Sequence, residues 1–233
     1  MSFLELRDIN TFIGQFHILE GVNLDVPAGD IVALLGRNGA GKTTTLKTIM
    51  GLTPARSGSV VFDGSDITDR RSFDIAAMGI GFVPEHRAIF ADLSVEENLR
   101  IAEREKGDLE AKEDLIFGLF PDLKRLIRLP GTNLSGGQQQ MLAVARALVP
   151  DNRLLLIDEP SEGLAPVIIE QMMEAIRQLS SHSTVLLVEQ NFIVASRLAQ
   201  HYVIVEEGTT VQAGAMADLV NDEETIKRYL GAA

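Results

Sequence analysis

The stretch that decides the fold is DIVALLGRNGAGKTT, residues 30–44. It starts as an apolar run typical of a buried strand, and it continues into a glycine-rich loop that leads into a helical pattern, TLKTIMG. Glycine lets backbone amides approach phosphate oxygens closely, and the N-terminus of the helix favours an anion at the same place. Residues 36–44 therefore predict a phosphate-binding loop between a strand and a helix.

Two side chains of this loop have predicted roles. Lys42 is expected to reach the β- and γ-phosphates of a nucleotide, and the hydroxyl group of Thr43 is expected to bind Mg²⁺. The alternative is a glycine-rich turn ahead of a helix, and the strand–loop–helix context argues against it. The predicted nucleotide-binding residues of the loop are Gly36, Arg37, Asn38, Gly39, Ala40, Gly41, Lys42, Thr43 and Thr44.

Apolar runs alternate with helical patterns along most of the chain. GIGFVP (residues 79–84), RLLLID (153–158) and STVLLVE (183–189) are apolar nearly throughout, as expected of strands covered on both faces. This alternation predicts an α/β fold with a mainly parallel sheet. Between the last two runs, apolar residues recur at helical spacing and predict a helix that faces the core. They are Ile169, Met172, Met173, Ile176 and Leu179.

Two other regions have different patterns. FLELRDI (residues 3–9), GVNLDVPAG (21–29) and GSVVFDGSDI (58–67) alternate polar and apolar residues, which predicts antiparallel strands. The segment from about residue 92 to 133 is mostly helical, and Ser94 and Glu97 make a capping box there. We expect an N-terminal antiparallel β lobe and a helical lobe inserted into the α/β core, all within one domain spanning residues 1–233.

The composition excludes several function classes. The formal net charge of -12 argues against broad nucleic-acid binding, because Lys and Arg hold phosphate backbones. The chain has no cysteine, so it can form neither a disulfide nor a thiolate metal site. The N-terminal sequence does not resemble a secretory signal, and no apolar stretch approaches the roughly 20 residues that cross a bilayer. Any role at a membrane would require an embedded partner.

The run RLLLIDEP ends in two carboxylates, Asp158 and Glu159. At the end of a strand, both side chains can turn towards the loop side of the sheet. Asp158 is suited to hold Mg²⁺, and Glu159 is placed to orient and polarise a water molecule that attacks the γ-phosphate. An acidic strand end alone is more often a solvated terminus, but the neighbouring phosphate-binding loop favours the catalytic interpretation.

A second candidate anion site begins at NLSGGQQQMLAVARAL, residues 133–148. Ser135 is a plausible N-cap, and the glycines after it open the helix terminus to an anion. The alternative is simply a well-capped helix. Against that alternative, one domain would hold two phosphate-seeking helix termini, and a single nucleotide at the first would leave the second without a ligand.

GRNGAGKTT, LSGGQ and LLLIDEP, in this order and spacing, resemble the nucleotide-binding subunit of an ATP-binding cassette (ABC) transporter. The resemblance covers essentially the whole chain and implies a P-loop NTPase core with a β lobe and a helical lobe. It also implies ATP hydrolysis by a head-to-tail pair, in which the signature loop of one subunit closes on the γ-phosphate held by the other. The signature residues are Leu134, Ser135, Gly136, Gly137 and Gln138.

Several positions depart from the broad family pattern. Gln190 stands where the switch residue is usually His, and its amide can donate to a phosphoryl oxygen without titrating near neutrality. Lys42, Glu159 and Gln190 are therefore the predicted catalytic residues. Glu85 replaces the usual Gln and is either a further Mg²⁺ ligand, beside Thr43 and Asp158, or a solvated loop residue.

The remaining departures lie near the adenine site and after the catalytic glutamate. The aromatic residue that stacks on adenine in the family falls on or near Ile13, and Phe12 lies beside it. Ala165 stands where the family has Asp.

The segments VPE, DEPS-x-GLAP, LLVEQN and YLG resemble the branch of the family that powers branched-chain amino acid import, and a closely similar branch serves urea and short amides. This resemblance implies membrane permease subunits, a second ATPase chain (related or identical), an indirectly coupled solute-binding protein, and a location on the cytoplasmic face of the inner membrane. Two alternatives stay open. One is a soluble ABC ATPase that acts on DNA or ribosomes, and the other is a nucleotide-binding partner that does not hydrolyse ATP.

Overall fold

The fold is described by a computed structural model of residues 2–231. Within these residues, ten strands form two sheets. In chain order the strands are β1 (Ser2–Ile13), β2 (Phe16–Pro27), β3 (Ile31–Leu35), β4 (Ala55–Phe62), β5 (Ser65–Asp66), β6 (Ile80–Val83), β7 (Leu154–Asp158), β8 (Thr184–Val188), β9 (His201–Glu206) and β10 (Thr209–Ala215).

The helices connect and cover these sheets. They are α1 (Lys42–Ile49), α2 (Ser72–Ala77), α3 (Val95–Arg100), α4 (Asp108–Leu119), α5 (Pro121–Arg125), α6 (Gly136–Leu148), α7 (Pro166–Leu179), α8 (Phe192–Leu198), α9 (Met216–Leu219) and α10 (Glu223–Thr225). A 3₁₀ turn (Gly131–Asn133) precedes α6, and a π-helical turn (Ile226–Leu230) follows α10. Within residues 2–231, every helix is too short or too polar to span a lipid bilayer.

The larger sheet has six strands in the order β10-β9-β3-β8-β7-β6. All neighbouring pairs from β9 to β6 are parallel, and β10 is an antiparallel edge. Every residue of β3, β7 and β8 is buried, because helices or the second sheet cover both faces. The predicted α/β class with a mainly parallel sheet is confirmed, and all four predicted buried strands lie within one residue of their predicted ends.

The smaller sheet is antiparallel, with the order β2-β1-β4-β5, as the N-terminal patterns predicted. Its inner face joins α1 and the larger sheet in one apolar core that includes Leu6, Val22, Leu46 and Val188. The two sheets are also tied directly, because the backbone amide of Glu20 donates to Gly208 O at 2.7 Å.

Helices α3, α4 and α5 fill most of the segment predicted to be helical. The Ser94 capping box is confirmed, because Ser94 Oγ accepts from the Glu97 amide and the Glu97 carboxylate accepts from the Ser94 amide. On α7, Met172, Met173, Ile176 and Leu179 are buried and Ile169 packs at the edge of the core, as predicted. Strands β9 and β10 were not predicted.

Candidate nucleotide-binding site

The sheet order brings the predicted motifs together. Strand β8 lies between β3 and β7, and all three run parallel. The glycine-rich loop after β3, the carboxylates at the end of β7 and the polar residues after β8 therefore emerge at the same edge of the sheet. Ligands of open α/β sheets bind at this edge, beyond the carboxyl ends of the strands.

The conformation of the glycine-rich loop depends on two glycines. Gly36 has φ +152°, and a Cβ atom there would lie 2.2 Å from Val205 O. Gly41 is the N-cap of α1 with φ +106°, and a Cβ atom there would lie 2.7 Å from Leu19 Cδ2. No side chain among the described residues caps α1. The N-terminus of α1 is therefore available to an external anion.

Lys42 lies beneath the loop with only 4% of its side chain exposed. Its ammonium group donates to Gly36 O at 2.9 Å and to Arg37 O at 3.2 Å. The same Nζ atom lies 3.2 Å from Glu159 Oε1. The lysine thus holds the loop in its curved form and pairs with the carboxylate predicted to be catalytic.

Asp158 is completely buried at the end of β7. Its Oδ1 accepts a hydrogen bond from Thr43 Oγ1 at 3.2 Å, whereas Oδ2 has no partner among the described residues. Burial raises the pKa of Asp158 to about 6, and the charges of Glu159 and Glu85 act in the same direction. A buried oxygen without a partner beside a hydroxyl group fits the oxygen ligands that Mg²⁺ prefers.

A cleft of about 400 Å³ opens above the loop, a volume in the range of small-molecule sites. It is lined by Ile13, Ile18, Asn38, Gly39, Gly41, Lys42, Thr43, Thr44, Glu85, Glu159 and Glu162. Most of the predicted nucleotide-binding residues therefore meet in one cavity. Gly36, Arg37 and Ala40 shape the loop without lining the cleft.

Of the two residues predicted near adenine, Ile13 lines the cleft and Phe12 does not. Ile13 lines the cleft and is 50% exposed. Phe12 does not line it, because its ring stacks on His17 with centroids 4.1 Å apart and lies under the guanidinium group of Arg56. Ile18, which the sequence interpretation missed, adds a second aliphatic side chain to the cleft.

Glu159 and Gln190 meet in an adjoining cavity of about 280 Å³. It is lined by Glu159, Ser161, Glu162, Glu189, Gln190 and Asn191. Glu159 has the left-handed value φ +46°, and its amide donates to Val188 O at 2.9 Å. The end of β8 therefore presents the exposed Gln190 beside the carboxylate that follows β7.

The signature segment lies at the N-terminus of α6. Ser135 Oγ accepts from the Gln138 amide at 3.3 Å, and Gln138 Oε1 accepts from the Ser135 amide at 3.0 Å. Gly137 packs closely on α7, since a Cβ atom there would lie 2.8 Å from Ile168 Cγ2. Residues 134–138 do not line the cleft of their own chain.

The site also contains acidic residues that sequence reasoning passed over. Glu162 lines both the cleft and the adjoining cavity. Glu189 is buried at the end of β8. A carboxylate that directly follows Leu-Leu-Val is unusual, but the sequence interpretation gave a role only to the neighbouring Gln190.

Comparisons with known proteins agree with this geometry. A sequence profile described as ABC transporter matches residues 19–162. The high-affinity branched-chain amino acid transport ATP-binding protein BraG of Pseudomonas aeruginosa is 41% identical over 98% of this chain and 99% of its own length. The "Probable branched-chain amino acid transport ATP-binding protein LivF" of Archaeoglobus fulgidus is 34% identical, with 96% of each chain covered. A solved ATP binding subunit of an ABC transporter is 27% identical, with a TM-score of 0.83 over 96% of this chain and 94% of that one.

Proposed function

This chain belongs to the ABC transporter family, and on that premise we propose that it hydrolyses ATP to energise the import of branched-chain amino acids through membrane permease subunits. The observation that carries the proposal is the 41% identity to BraG over 98% of this chain. The cleft supports the ATPase part independently, because it combines a phosphate-binding loop, a buried lysine and a strand-end glutamate.

Phosphoryl transfer to water depends mainly on positioning and on charge stabilisation. Lys42 and the loop amides would bind the β- and γ-phosphates, so the ammonium group would leave Glu159 when ATP enters. Glu159 would then be free to orient the attacking water and accept its proton. Gln190 would donate its amide N–H to a γ-phosphate oxygen.

Mg²⁺ would be held by Thr43 and Asp158, with Glu85 as a further ligand, and it would supply positive charge against the phosphates. We infer that residues 2–231 make up one ATPase domain, within which the helices of about residues 92–133 form an inserted lobe.

We further propose that two ATPase chains pair head to tail. In this arrangement Ser135, Gly137 and Gln138 of one subunit complete the γ-phosphate site of the other. Their separation from the cleft of their own chain supports that assignment. The second subunit is either a copy of this chain or a related ATPase, and a solute-binding protein would act through the permeases.

The permeases need a docking surface, which we place in the groove between the helical lobe and the core, around residues 85–90 and 93–95. An adjoining cavity of about 380 Å³ is lined by Arg87, Arg104 and Arg146 together with apolar side chains such as Phe82. In a chain with a net charge of -12, three arginines in one groove favour an acidic, partly apolar partner segment.

The test begins with purification of the tagged chain from detergent-solubilised membranes of its source, followed by identification of partners by mass spectrometry. The recovered complex and its binding protein are then reconstituted in proteoliposomes with ATP, and uptake of labelled leucine and labelled urea is compared. We expect two polytopic chains to copurify, and we expect leucine uptake that a Glu159→Gln complex lacks. Urea uptake without leucine uptake would assign the chain to the urea branch, and recovery of soluble partners alone would overturn the transport proposal.

A further inference from the structure

Glu189 is a buried carboxylate to which the proposed hydrolysis mechanism gives no role. It directly follows β8, is 1% exposed, and does not line the nucleotide cleft. Its carboxylate accepts three hydrogen bonds, from the Ser161 amide at 3.2 Å, from Ser161 Oγ at 2.9 Å and from the Asn191 amide at 3.3 Å. Glu189 therefore joins two loops that begin at neighbouring strands.

The energetics of this group argue against a purely stabilising role. No lysine, arginine or histidine of the described chain forms an ion pair with Glu189. Burial raises the pKa of Glu189 to about 7, and the charge of Glu159 acts in the same direction, although the bonds from Ser161 and Asn191 oppose the shift. A buried carboxylate without a cation costs free energy of folding, which an apolar side chain would not.

The first loop that Glu189 holds is the turn that carries Glu159. Glu159 adopts φ +46°, and such a conformation persists in a non-glycine residue only where the surroundings impose it. The turn is closed by the Glu162 amide, which donates to Glu159 O at 3.2 Å. The two bonds from Ser161 to Glu189 then fix this turn against the end of β8.

The second loop is the one that carries Gln190. Glu189 and Asn191 flank Gln190 in sequence, and the bond from the Asn191 amide to Glu189 closes the backbone around it. Asn191 in turn caps α8, since its Oδ1 accepts from the amides of Ile193 and Val194. Gln190 is thereby held between a buried carboxylate and the start of a helix.

We propose that Glu189 is a positioning residue for ATP hydrolysis, which sets Glu159 and Gln190 together by binding Ser161 on one side and Asn191 on the other. This inference rests on the proposed ATPase activity. It assigns a task to the hydrogen bonds that join two loops rather than to a contact with the nucleotide. Misplacing reacting groups by about 1 Å can cost about 10²-fold in rate, so a residue outside the cleft can control turnover.

The experiment compares Glu189→Gln and Ser161→Ala with the wild-type chain. We expect kcat to fall by about tenfold to a hundredfold in each variant, because Glu159 and Gln190 lose their common anchor. The Kd for ATP should stay within about twofold of wild type, because neither residue lines the nucleotide cleft. The double variant should be no slower than the slower single variant, since both changes break the same contact.

Thr184→Val is the matched control. Thr184 is buried at the opposite end of β8, where its hydroxyl accepts from the Gly29 amide at 2.9 Å. We expect this variant to lose stability in urea denaturation while its kcat stays at the wild-type value. A loss of kcat in proportion to stability, in all three variants alike, would reduce Glu189 to a structural residue and overturn the inference.

Two further outcomes separate this inference from the proposed function. If the wild-type chain does not hydrolyse ATP, alone or with its partners, the proposed function fails. If the wild type hydrolyses ATP and Glu189→Gln does so at the same kcat, the inference fails while the function stands. Should Glu189→Gln not fold, Ser161→Ala carries the test, because Ser161 is only half-buried and keeps its backbone amide bond.

Discussion

The N-termini of α1 and α6 were both predicted to bind phosphate, yet they are built differently. Helix α1 starts at a left-handed Gly41 with no side-chain cap among the described residues, and the side chain of Lys42 lies beneath the loop that precedes the helix. Helix α6 starts with a complete capping box, in which Ser135 and Gln138 satisfy each other's backbone amides. One terminus leaves its backbone amides available to an external anion, whereas the other is capped by its own side chains.

This difference indicates a division of labour. An uncapped helix terminus with a buried ammonium group is organised to bind nucleotide in its own chain. A capped terminus binds a ligand only when that ligand is brought to it, because its internal bonds compete. The comparison therefore predicts that α1 controls nucleotide affinity and that α6 controls association between subunits.

The largest effect is expected from a substitution beside the N-terminus of α1 that lowers ATP turnover without preventing ATP binding. We expect Glu159→Gln to lower kcat by about 10²-fold or more, because the amide cannot accept the proton of the attacking water. Lys42 and the loop amides are unchanged in this variant, so ATP should bind and hold the two subunits together. Gel filtration with ATP should show a long-lived dimer, whereas hydrolysis at the wild-type rate would refute the role of Glu159. Glu174→Gln, an exposed carboxylate on α7, serves as the control.

The next largest effect is expected from a substitution at the α1 terminus itself. We expect Lys42→Ala to weaken ATP binding by about 10²-fold, because it removes a buried cation and leaves Glu159 unpaired. Lys47→Ala, an exposed lysine in the last turn of the same helix, should leave the Kd unchanged. Nucleotide titration by calorimetry measures both, and equal Kd values for the two variants would contradict the proposed role of the α1 terminus.

A smaller effect tests the α6 terminus, and the chain offers a close control. Ser135→Ala and Ser94→Ala each remove the serine of a capping box, and each should cost about 1 kcal/mol of unfolding free energy. In the Glu159→Gln background, only Ser135→Ala should weaken the ATP-held dimer, by about tenfold for one lost hydrogen bond to phosphate. Analytical ultracentrifugation measures the dissociation of the dimer. Equal weakening by both substitutions would mean that Ser135 does not contribute to the interface.

The smallest effect concerns the charge of the side chains near each helix terminus, which also distinguishes the N-terminus of α1 from that of α6. Asp158, whose pKa is raised to about 6, is the last residue of β7, and Glu189, whose pKa is raised to about 7, directly follows β8. The cap of α6, by contrast, is neutral. Because the pKa of Glu189 is raised from 4.5, the folded state holds this proton more tightly than the unfolded state. The stability contributed by this group is therefore present at low pH and is lost as the pH rises through about 7.

Glu189→Gln removes this titration. Relative to that variant, the unfolding free energy of the wild type should fall by about 1 kcal/mol between pH 6 and pH 8. Urea denaturation at several pH values measures it, with Glu174→Gln as a control whose difference from wild type stays constant over that range. If the difference in unfolding free energy between the wild type and Glu189→Gln stays constant from pH 6 to pH 8, Glu189 does not titrate in that range.

The sequence predicted the elements whose signals are local. Strands β3, β7 and β8 are continuous apolar runs because both of their faces are covered, so their ends could be read to within one residue. The glycine-rich loop was equally readable, because Gly36 and Gly41 are required by close contacts that any side chain would break.

The side chains that could not be predicted depend on distant geometry. The register of β1 against β2 shifts between Thr11 and Phe12, and a shift of one residue reverses which side chain faces the cleft. Alternation alone therefore could not assign Phe12 and Ile13. Glu189 was visible as a carboxylate after an apolar run, but its partner Ser161 lies 28 residues earlier in the chain. Likewise, the apolar run in β9 does not reveal that this strand pairs with β3.

The position of β3 between β8 and β9 has a consequence for how the protein is made. The phosphate-binding motif leaves the ribosome early, but the strands that flank β3 belong to the last third of the chain. Gly36 also packs against the backbone of Val205, which lies near the end of β9. A nascent chain therefore carries the full nucleotide motif long before it can bind nucleotide, and a prematurely terminated chain keeps the motif without the site. We therefore expect ATP binding only after β9 has been translated.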